Sequence, residues 1–358
     1  MNITVVRPGE LGDAEIAAWR ALQRADLLLD NPFLSPDFAL AVDRYRDNVH
    51  VAVISSATGV VGVFPFQRQA LGVGLPVGAG FNDAQGLVGA ADLRVDAGEL
   101  LRACGLAVWE FDHLLAGQFT EFHTERQRSP IIDLGGGFDD YVALIRSRST
   151  STYKTVAYRE RKLGRDVGQI RHVFDSRDPG DLRALLSWKS AQYRETGQRD
   201  LFADPRFTEL VERLHQEPGE GVRGALSMLY AGDQPIAGHF GLVSETVLCQ
   251  WFPAYDKEFG RYSPGLVQHL GMAREAAERG VRHIHLGKSQ ATYKDFLANT
   301  ETQVAEGRVS RPSVGATLHW AKSVPAGRIK DTLRKSDALR SGVRRARILR
   351  GRLSGGEK

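Results

Sequence analysis

The stretch YDKEFGRYSPGLVQHLGMAREAAERGVRHIHLGKSQATYKDF, from Tyr255 to Phe296, decides the fold of this chain. It predicts a strand end, a tight loop, a helix, a second strand and a second helix. Ser263 is predicted to cap the first helix, with Pro264 in its first turn, where the missing N–H of proline costs nothing. Gly280 suits the end of the helix. Apolar residues recur between these limits at helical spacing: Leu266, Leu270, Ala273 and Ala277.

A helix N-terminus beside a strand end binds anions, because its N–H groups are free and the helix dipole favours negative charge. The stretch therefore predicts a site for a phosphate-bearing donor whose reactive end runs toward Tyr293. Such a site indicates group transfer.

Size and composition are those of an ordinary soluble protein. The chain has 358 residues, 42% hydrophobic and 25% charged, and its length predicts two domains. Cys104 and Cys249 form neither metal-ligand spacing nor a disulfide framework, which predicts a reducing, cytoplasmic compartment. The N-terminus lacks a signal-peptide pattern and no apolar stretch is long enough to span a bilayer, so a cytoplasmic protein without a transmembrane segment is expected.

The net charge of +4 is unevenly distributed. Residues 322–358 hold twelve Lys and Arg against three Asp and Glu, a balance of +9, which leaves −5 for the rest. A weakly acidic body argues against a nucleic-acid-binding fold, whereas the basic tail suits contact with tRNA or an anionic membrane. A ragged helical stripe in the tail, from Ile329 to Leu353, leaves three interpretations open: a packed helix, a membrane-surface helix or a frayed end.

The chain predicts two similar halves followed by this tail. Each half combines helices, a hairpin and further strands, and VVGVFPF aligns with IAGHFGL so that Gly62 matches Gly238 and Phe64 matches Phe240. A basic segment, 141–165, predicts a connecting helix whose charges form either a solvated face or a binding patch. The predicted domains are residues 1–140, residues 141–310 and the basic C-terminal tail, 311–358.

The decisive stretch resembles the acyl-donor core of GNAT-superfamily N-acetyltransferases. It is most similar to the cellulose-biosynthesis-type acetyltransferases, a subgroup related to the Fem-type aminoacyl transferases. Further segments carry the resemblance from about Asn31 onward: NPFLSPDF, VGVFPFQ, FNDAQGLVG and WKSAQYRETGQRDLF. The resemblance implies a mixed α/β fold (α+β mixed sheets) of two tandem GNAT-like domains around a central cleft, with the donor in the second domain and the acceptor in the cleft.

The donor loop departs from the family pattern. Most GNAT enzymes hold the donor diphosphate with Arg/Gln-x-x-Gly-x-Gly/Ala, whereas here Arg261, Pro264 and Leu266 occupy the defining positions. The resemblance implies acyl-coenzyme A, with acetyl-coenzyme A as co-substrate, and the lost glycines leave a different donor open. The residues it implies for donor binding are Arg261, Tyr262, Ser263, Pro264 and Gly265.

Acyl transfer requires proton removal from the acceptor, stabilisation of an oxyanion and protonation of the leaving group. The resemblance implies Tyr293 as the acid and Lys294 as a cation for phosphate or oxyanion, although each is also an ordinary residue of an amphipathic helix. For the base, His239 ranks above His285 and Asp256, and a water chain without a dedicated base is an alternative.

Two segments supply candidate acceptor-binding residues. Lys189 lies on or near the apolar face of a predicted helix, where it either reaches for solvent or points at an anionic ligand, and Tyr193 is one turn later. Asp83 and Gln85 lie on a glycine-flanked loop, where polar residues form local turns, and the resemblance implies that they hold the acceptor.

The sequence therefore predicts an acyltransferase without a metal, which moves an acetyl group to an amine or hydroxyl of a sugar or related metabolite, in polysaccharide or cell-envelope biosynthesis. One alternative is a Fem-type transferase that uses aminoacyl-tRNA. The other is a non-catalytic module that binds a glycan or a protein.

Overall fold

The computed structural model describes residues 1–217, 219, 221–288 and 291–311. The predicted basic tail and its helical stripe lie outside these residues, apart from Arg311. None of the helices within the described ranges is long and apolar enough to cross a membrane.

The described part of the chain contains thirteen strands and nine α-helices. The strands, β1 to β13 in chain order, are Asn2–Val6, Val49–Ser56, Gly59–Arg68, Val73–Pro76, Val88–Gly89, Val108–Leu115, His123–Asp133, Ile170–Val173, Arg223–Ala231, Gln234–Val243, Val247–Tyr255, His283–His285 and Thr300–Ser310. The helices, α1 to α9, are Asp13–Arg24, Pro36–Tyr45, Ala97–Ala103, Phe138–Arg148, Thr150–Asp166, Pro179–Thr196, Pro205–Gln216, Pro264–Glu278 and Thr292–Leu297.

The strands form one mixed sheet, and the pattern of parallel and antiparallel pairs is the same on both sides of its centre. The strand order is β1-β2-β3-β4-β6-β13-β7-β12-β11-β10-β9-β8, with β5 paired to β3. Counted outward from the central β13–β7 pair, each half has a parallel pair at the same place, β4–β6 on one side and β11–β12 on the other. The neighbouring pairs are antiparallel in both halves. This order is a mixed α/β fold of two similar halves, as the sequence predicts.

The two halves exchange their last strands. Strand β13, from the end of the described chain, lies between β6 and β7, and β7 in turn pairs with β12 of the second half. Each half therefore completes the sheet of the other. The predicted boundaries at residues 140 and 310 stay a prediction.

The predicted internal repeat corresponds to two hairpins, β2–β3 and β9–β10. Gly62 and Gly238 lie in the second strand of each, where a Cβ atom would come within 2.5 Å of Leu93 and 2.6 Å of Met228, respectively. Both glycines therefore allow close packing on the sheet. Their partners in the alignment, Phe64 and Phe240, are completely buried.

The predicted connecting helix is wrong in one respect, because it is two helices. Helix α4 ends at Arg148 and α5 begins at Thr150, with Ser149 in a non-helical conformation between them. The Arg148 guanidinium donates to the carbonyl of Ala298 at 2.6 Å, which fixes the end of α4. The break lets both helices pack on α8.

The predicted limits of helix α8 are confirmed, since Pro264 lies in its first turn and Gly280 lies just past its end with a φ of +82°. The predicted apolar stripe is only partly right, since Ala273 is fully buried whereas Leu266, Leu270 and Ala277 are half-buried. The reason is that α8 is covered twice, by the sheet on one side and by α4 and α5 on the other. Its buried surface is therefore wider than one stripe.

One hydrophobic core joins the two halves. Phe33 and Phe38 of the first half pack edge-on against Trp251 of β11 at 5.7 and 6.4 Å between ring centroids. The Trp251 indole also donates to the carbonyl of Phe81 at 2.7 Å. These contacts fix the loop after Phe81 against the second half of the molecule.

Candidate active site

A cavity opens in the second half where two parallel strands separate. Strands β11 and β12 pair over only three residues, from Val247 to Cys249 and from His283 to His285. Beyond that point β11 continues to Tyr255, whereas β12 ends and the chain turns at Gly287, whose φ is +72°. The resulting cavity measures about 370 Å³. Its lining residues are Lys189, Gln192, Gly238, Pro253, Ala254, Tyr255, Gly260, Ser263, Pro264, Gly265, Leu266, Gln268, His269 and Tyr293.

The matching position in the first half is filled by the chain itself. Beyond the parallel β4–β6 pair, Gln85 forms a bridge with Leu114, and its N–H donates to the carbonyl of His113 at 3.0 Å. Larger cavities of about 540 and 800 Å³ lie elsewhere, and no predicted site residue lines either of them. The cavity beside β11 is therefore the one where the predicted chemistry converges.

The loop before α8 forms one end of the cavity. Ser263 occupies the capping position, but the prediction that its side chain caps α8 is wrong, because its backbone is left-handed with φ +50° and its hydroxyl makes no capping bond. The hydroxyl instead accepts a hydrogen bond from Arg159 of α5. The N–H groups of Leu266 and Val267 both donate to the Ser263 carbonyl, at 3.0 and 3.3 Å.

The five predicted donor-binding residues divide into two groups. Ser263, Pro264 and Gly265 line the cavity, whereas Arg261 and Tyr262 do not. The Tyr262 ring is fully buried and its hydroxyl donates to Asp166 at 2.9 Å. Arg261 lies over that ring at 4.8 Å and donates to the same hydroxyl at 2.8 Å. Donor binding by Arg261 and Tyr262 stays a prediction. In this structure their side chains contact each other.

Tyr293 and Lys294 lie on α9, and of these two Tyr293 lines the cavity whereas Lys294 does not. Burial, together with the nearby charge of Asp83, raises the pKa of Tyr293 to about 12, although the side-chain amide of Gln250 opposes them. Tyr293 is therefore a protonated donor at neutral pH. Lys294 is 6% exposed and donates to the carbonyl of Gly287 at 2.8 Å. Burial lowers its pKa, and Asp83 partly restores it.

His269 is a cavity residue that the sequence interpretation missed. Its Nδ1 lies 2.6 Å from the carbonyl of Gly265 and its Nε2 lies 2.6 Å from Nε2 of Gln250. A carbonyl only accepts, so Nδ1 carries the proton and Nε2 accepts from the amide of Gln250. Burial lowers the pKa of His269, the Gly265 bond opposes this, and Lys294 lowers it again, so the ring is neutral. It lies 5.6 Å from the Tyr293 ring.

The three predicted bases are not among the residues that line the cavity. His239 is completely buried, its ring nitrogens have no hydrogen-bond partner within the described part of the chain, and burial holds its pKa well below the usual value. Burial likewise lowers the pKa of His285 to about 3. Asp256 accepts from the N–H of Glu258 at 3.0 Å and caps a short 3₁₀ helix. A catalytic role for His239 stays a prediction.

Lys189 enters the cavity from α6. Its ammonium donates to Oε1 of Gln192 at 2.9 Å and to the carbonyl of Pro253 at 3.2 Å, and it lies 5.1 Å from the centre of the Tyr193 ring. Burial lowers the pKa of Lys189 to about 8, with a further contribution from Lys294. Of the two predicted orientations, the structure has the one in which the lysine faces the cleft.

Asp83 reaches this region from the first half. Its carboxylate packs on Gly287, where a Cβ atom would lie 2.5 Å from Oδ2, and its Oδ1 lies 3.4 Å from Nε2 of His113. The other ring nitrogen of His113 lies 3.0 Å from the more exposed Asp112. Burial raises the pKa of Asp83, against the lowering influence of His113 and Lys294. An acid–imidazole–acid array thus runs from the cleft toward solvent.

Gln85 holds this loop in place. Its amide nitrogen donates to Asn82 at 2.7 Å and to Asp112 at 2.6 Å, and its oxygen accepts from the N–H groups of Asp112 and His113 at 2.9 and 3.0 Å. An amide has two donors and two acceptor lone pairs, and all four are used here. The predicted contact of Gln85 with an acceptor therefore has no free group to act through.

No group of His, Cys, Asp and Glu in the described ranges is arranged to hold a metal ion. Cys104 and Cys249 are buried free thiols.

Comparison with known proteins gives a family match for the second half and a fold match for the whole. Residues 150–295 match the family described as an acetyltransferase (GNAT) domain. A sequence search of curated proteins found no match.

The crystal structure of FemX superposes with a TM-score of 0.57 at 11% identity, over 90% of this chain and 99% of that one. The C-terminal DUF2156 domain of a putative lysylphosphatidylglycerol synthetase from Agrobacterium fabrum gives 0.50 at 11% identity, over 86% and 96%. A conserved protein of unknown function from Bacteroides thetaiotaomicron gives 0.50 at 12%, over 86% and 100%. At these identities the likeness is one of fold.

Proposed function

We propose that the chain is an acyltransferase of the GNAT superfamily, as the match of residues 150–295 supports, and that it transfers an acetyl group from acetyl-coenzyme A to an amine or hydroxyl of a sugar or related metabolite. The observation that carries this proposal is the cavity between β11 and the start of α8, with Tyr293 in its wall. A cavity lined both by the first turn of a helix and by a phenol suits a thioester on a phosphate-bearing carrier.

Two features of the cavity fit the pantetheine arm of coenzyme A. Beyond Cys249, the edge of β11 that faces β12 has no partner strand among the described residues, so an extended arm can pair with its backbone. Gln268 lines the cavity, and its buried side-chain oxygen has no hydrogen-bond partner among the described residues. An amide N–H of the arm would satisfy this oxygen, which is otherwise costly to bury.

The proposed reaction needs three groups of this chain. The acceptor nitrogen attacks the thioester carbonyl carbon and forms the C–N bond, and Asp83 takes the proton that the nitrogen loses. The positive charge of Lys294 stabilises the oxyanion. As the C–S bond breaks, Tyr293 gives its proton to the sulfur, which leaves as the free thiol of coenzyme A. Proton exchange with water then restores Asp83 and Tyr293.

The finer parts of the proposal rest on the sequence resemblance. These finer parts are a sugar or glycan acceptor, a role in polysaccharide or cell-envelope biosynthesis, and a location in the cytoplasm, where acyl-coenzyme A is available. The two buried free thiols suit a reducing compartment. The acetyltransferase domain favours an enzyme over a non-catalytic binding module.

The test is an assay of thiol release from acetyl-coenzyme A with a panel of amines and amino sugars. Tyr293→Phe is expected to lower kcat at least about 100-fold, because it removes the proton donor. The dissociation constant for acetyl-coenzyme A, measured by calorimetry, should stay nearly unchanged. Equal kcat in variant and parent would remove Tyr293 from the acid role, and no binding of coenzyme A to the parent would overturn the proposed donor.

A second donor, aminoacyl-tRNA, is supported by one feature of the structure. The exposed basic residues Lys154, Arg161 and Arg165 lie on α5, the helix that also contacts the donor loop through Arg159. Such a surface suits a polyanion that is larger than coenzyme A. Salt-dependent binding of aminoacyl-tRNA, together with no binding of coenzyme A, would favour this donor.

A further inference from the structure

We infer that Arg159 binds the diphosphate of the acyl donor, in place of the backbone N–H groups that a glycine-rich loop would supply. This inference rests on the proposed function, because it assumes that the cavity beside α8 receives coenzyme A. It adds a binding residue from α5, outside the loop itself.

The position of Arg159 is the first support. Helix α5 packs against the 3₁₀ helix Lys257–Tyr262 and against α8. From there the guanidinium of Arg159 donates to the hydroxyl of Ser263, which lines the cavity. The side chain is half-buried and does not line the cavity itself, so its guanidinium lies beside the cavity, in contact with Ser263.

The second support is that Arg159 keeps its charge available. A guanidinium has five N–H donors, and the hydroxyl of Ser263 is neutral and occupies one of them. Within the described residues Arg159 forms no ion pair with a carboxylate. Two neighbouring cations have partners already, since Lys162 pairs with Asp166 at 2.8 Å and Arg261 lies against Tyr262. Arg159 can therefore offer its charge to an anionic ligand next to Ser263 without first breaking an ion pair among the described residues.

The third support is the shortage of backbone donors in the loop. Pro264 has no N–H, and the N–H groups of Leu266 and Val267 are already bonded to the carbonyl of Ser263. A diphosphate at this end of the cavity thus finds fewer amide donors than a glycine-rich loop offers. A guanidinium compensates well, because its planar fork donates two parallel hydrogen bonds to phosphate oxygens.

The experiment compares two ligands that share the reactive arm. Acetyl-coenzyme A also contains the diphosphate, with 3′-phosphoadenosine attached to it, whereas acetyl-pantetheine contains the arm alone. Binding of both to the parent and to Arg159→Gln is measured by calorimetry. Loss of a charged hydrogen bond should weaken acetyl-coenzyme A about 10- to 100-fold, and the affinity for acetyl-pantetheine should change less than about twofold. Arg274→Gln is the matched control and should leave both affinities within about twofold, because Arg274 is exposed on α8 and lies against the ring of Phe138. Arg261→Gln is measured alongside, as the alternative residue for the diphosphate.

Each outcome decides one claim. If the parent does not bind acetyl-coenzyme A, the proposed donor fails and this inference fails with it. If the parent binds and Arg159→Gln binds equally well, the inference is overturned while the proposed function stands. Equal weakening of both ligands would assign Arg159 a structural role and also overturn it, with the melting temperature of each variant as the check on folding. A loss confined to Arg261→Gln would return the diphosphate to the position first predicted from the sequence.

Discussion

Replacing Lys189 by methionine should stabilise the protein at pH 7 and impair its activity. Burial lowers the pKa of this lysine from its ordinary 10.5 to about 8. A change of that size corresponds to about 3 kcal/mol of unfolding free energy, because each factor of ten in proton affinity is worth about 1.4 kcal/mol. Against it stand the two hydrogen bonds of the ammonium and its contact with Tyr193, about 2 kcal/mol together. We expect a net gain of about 1 kcal/mol for Lys189→Met.

The sign of this difference should reverse at high pH. Below pH 8 the lysine is charged in both states, so the full cost of burying the charge is present in the parent. Between pH 8 and 10.5 the unfolded chain holds the proton more tightly than the folded one, so the parent gains stability as the pH rises. Near pH 10.5 the folded lysine is a neutral amine that keeps its hydrogen bonds but no longer has a cation–π contact, so Lys189→Met should then be less stable than the parent by about 1 kcal/mol.

Urea unfolding of parent and variant at pH 7 and pH 10 measures this difference. Lys154→Met is the matched control, because Lys154 is exposed on α5 and its replacement should change stability by less than about 0.5 kcal/mol at both values. A stability difference for Lys189→Met that does not depend on pH would refute the reasoning. So would full activity in the variant, since a charge retained at such a cost is expected to serve the ligand.

Two further substitutions test the second half of the molecule. His269→Asn keeps a donor for the Gly265 carbonyl but loses the contact with Gln250, so kcat should fall about tenfold with a smaller change in donor affinity; an unchanged kcat in a steady-state assay would contradict this role. Gly271→Ala should cost about 1–2 kcal/mol in urea unfolding, because its Cβ would lie 1.9 Å from the ring of His172. The matched helical glycine, Gly164, has its nearest contact at 3.4 Å, so Gly164→Ala should gain about 0.5–1 kcal/mol, and equal effects of the two alanines would be the contrary result.

Local signals allowed much of the fold to be predicted. The proline at position 264 and the glycine at 280 each act within a few residues, and each is where the sequence predicts it. The break at Ser149 has no such local signal, since it follows from packing two helices on α8. Long-range packing therefore set the limit of the prediction.

The candidate site divides in the same way. Tyr293 and Lys189 both line the cavity, and for Lys189 this is one of the two orientations that the sequence left open. The place of His269 in the cavity could not be predicted from the sequence, because α8 is buried on two sides and the spacing of its apolar residues does not distinguish this ring. The contact of Asp83 with Gly287 joins distant parts of the chain, and no pattern within either segment indicates it.

The exchanged strands have a consequence for synthesis on the ribosome. Val304 of β13 pairs with Leu115 of β6, and Thr300 pairs with Ile131 of β7. Strands β6 and β7 of the first half therefore lack their partner β13 until the second half has been translated. Until then the edges of β6 and β7 expose unpaired backbone groups, which are sticky toward other nascent chains. We expect a truncation that ends before Thr300 to aggregate, even though it retains every residue that lines the cavity beside β11.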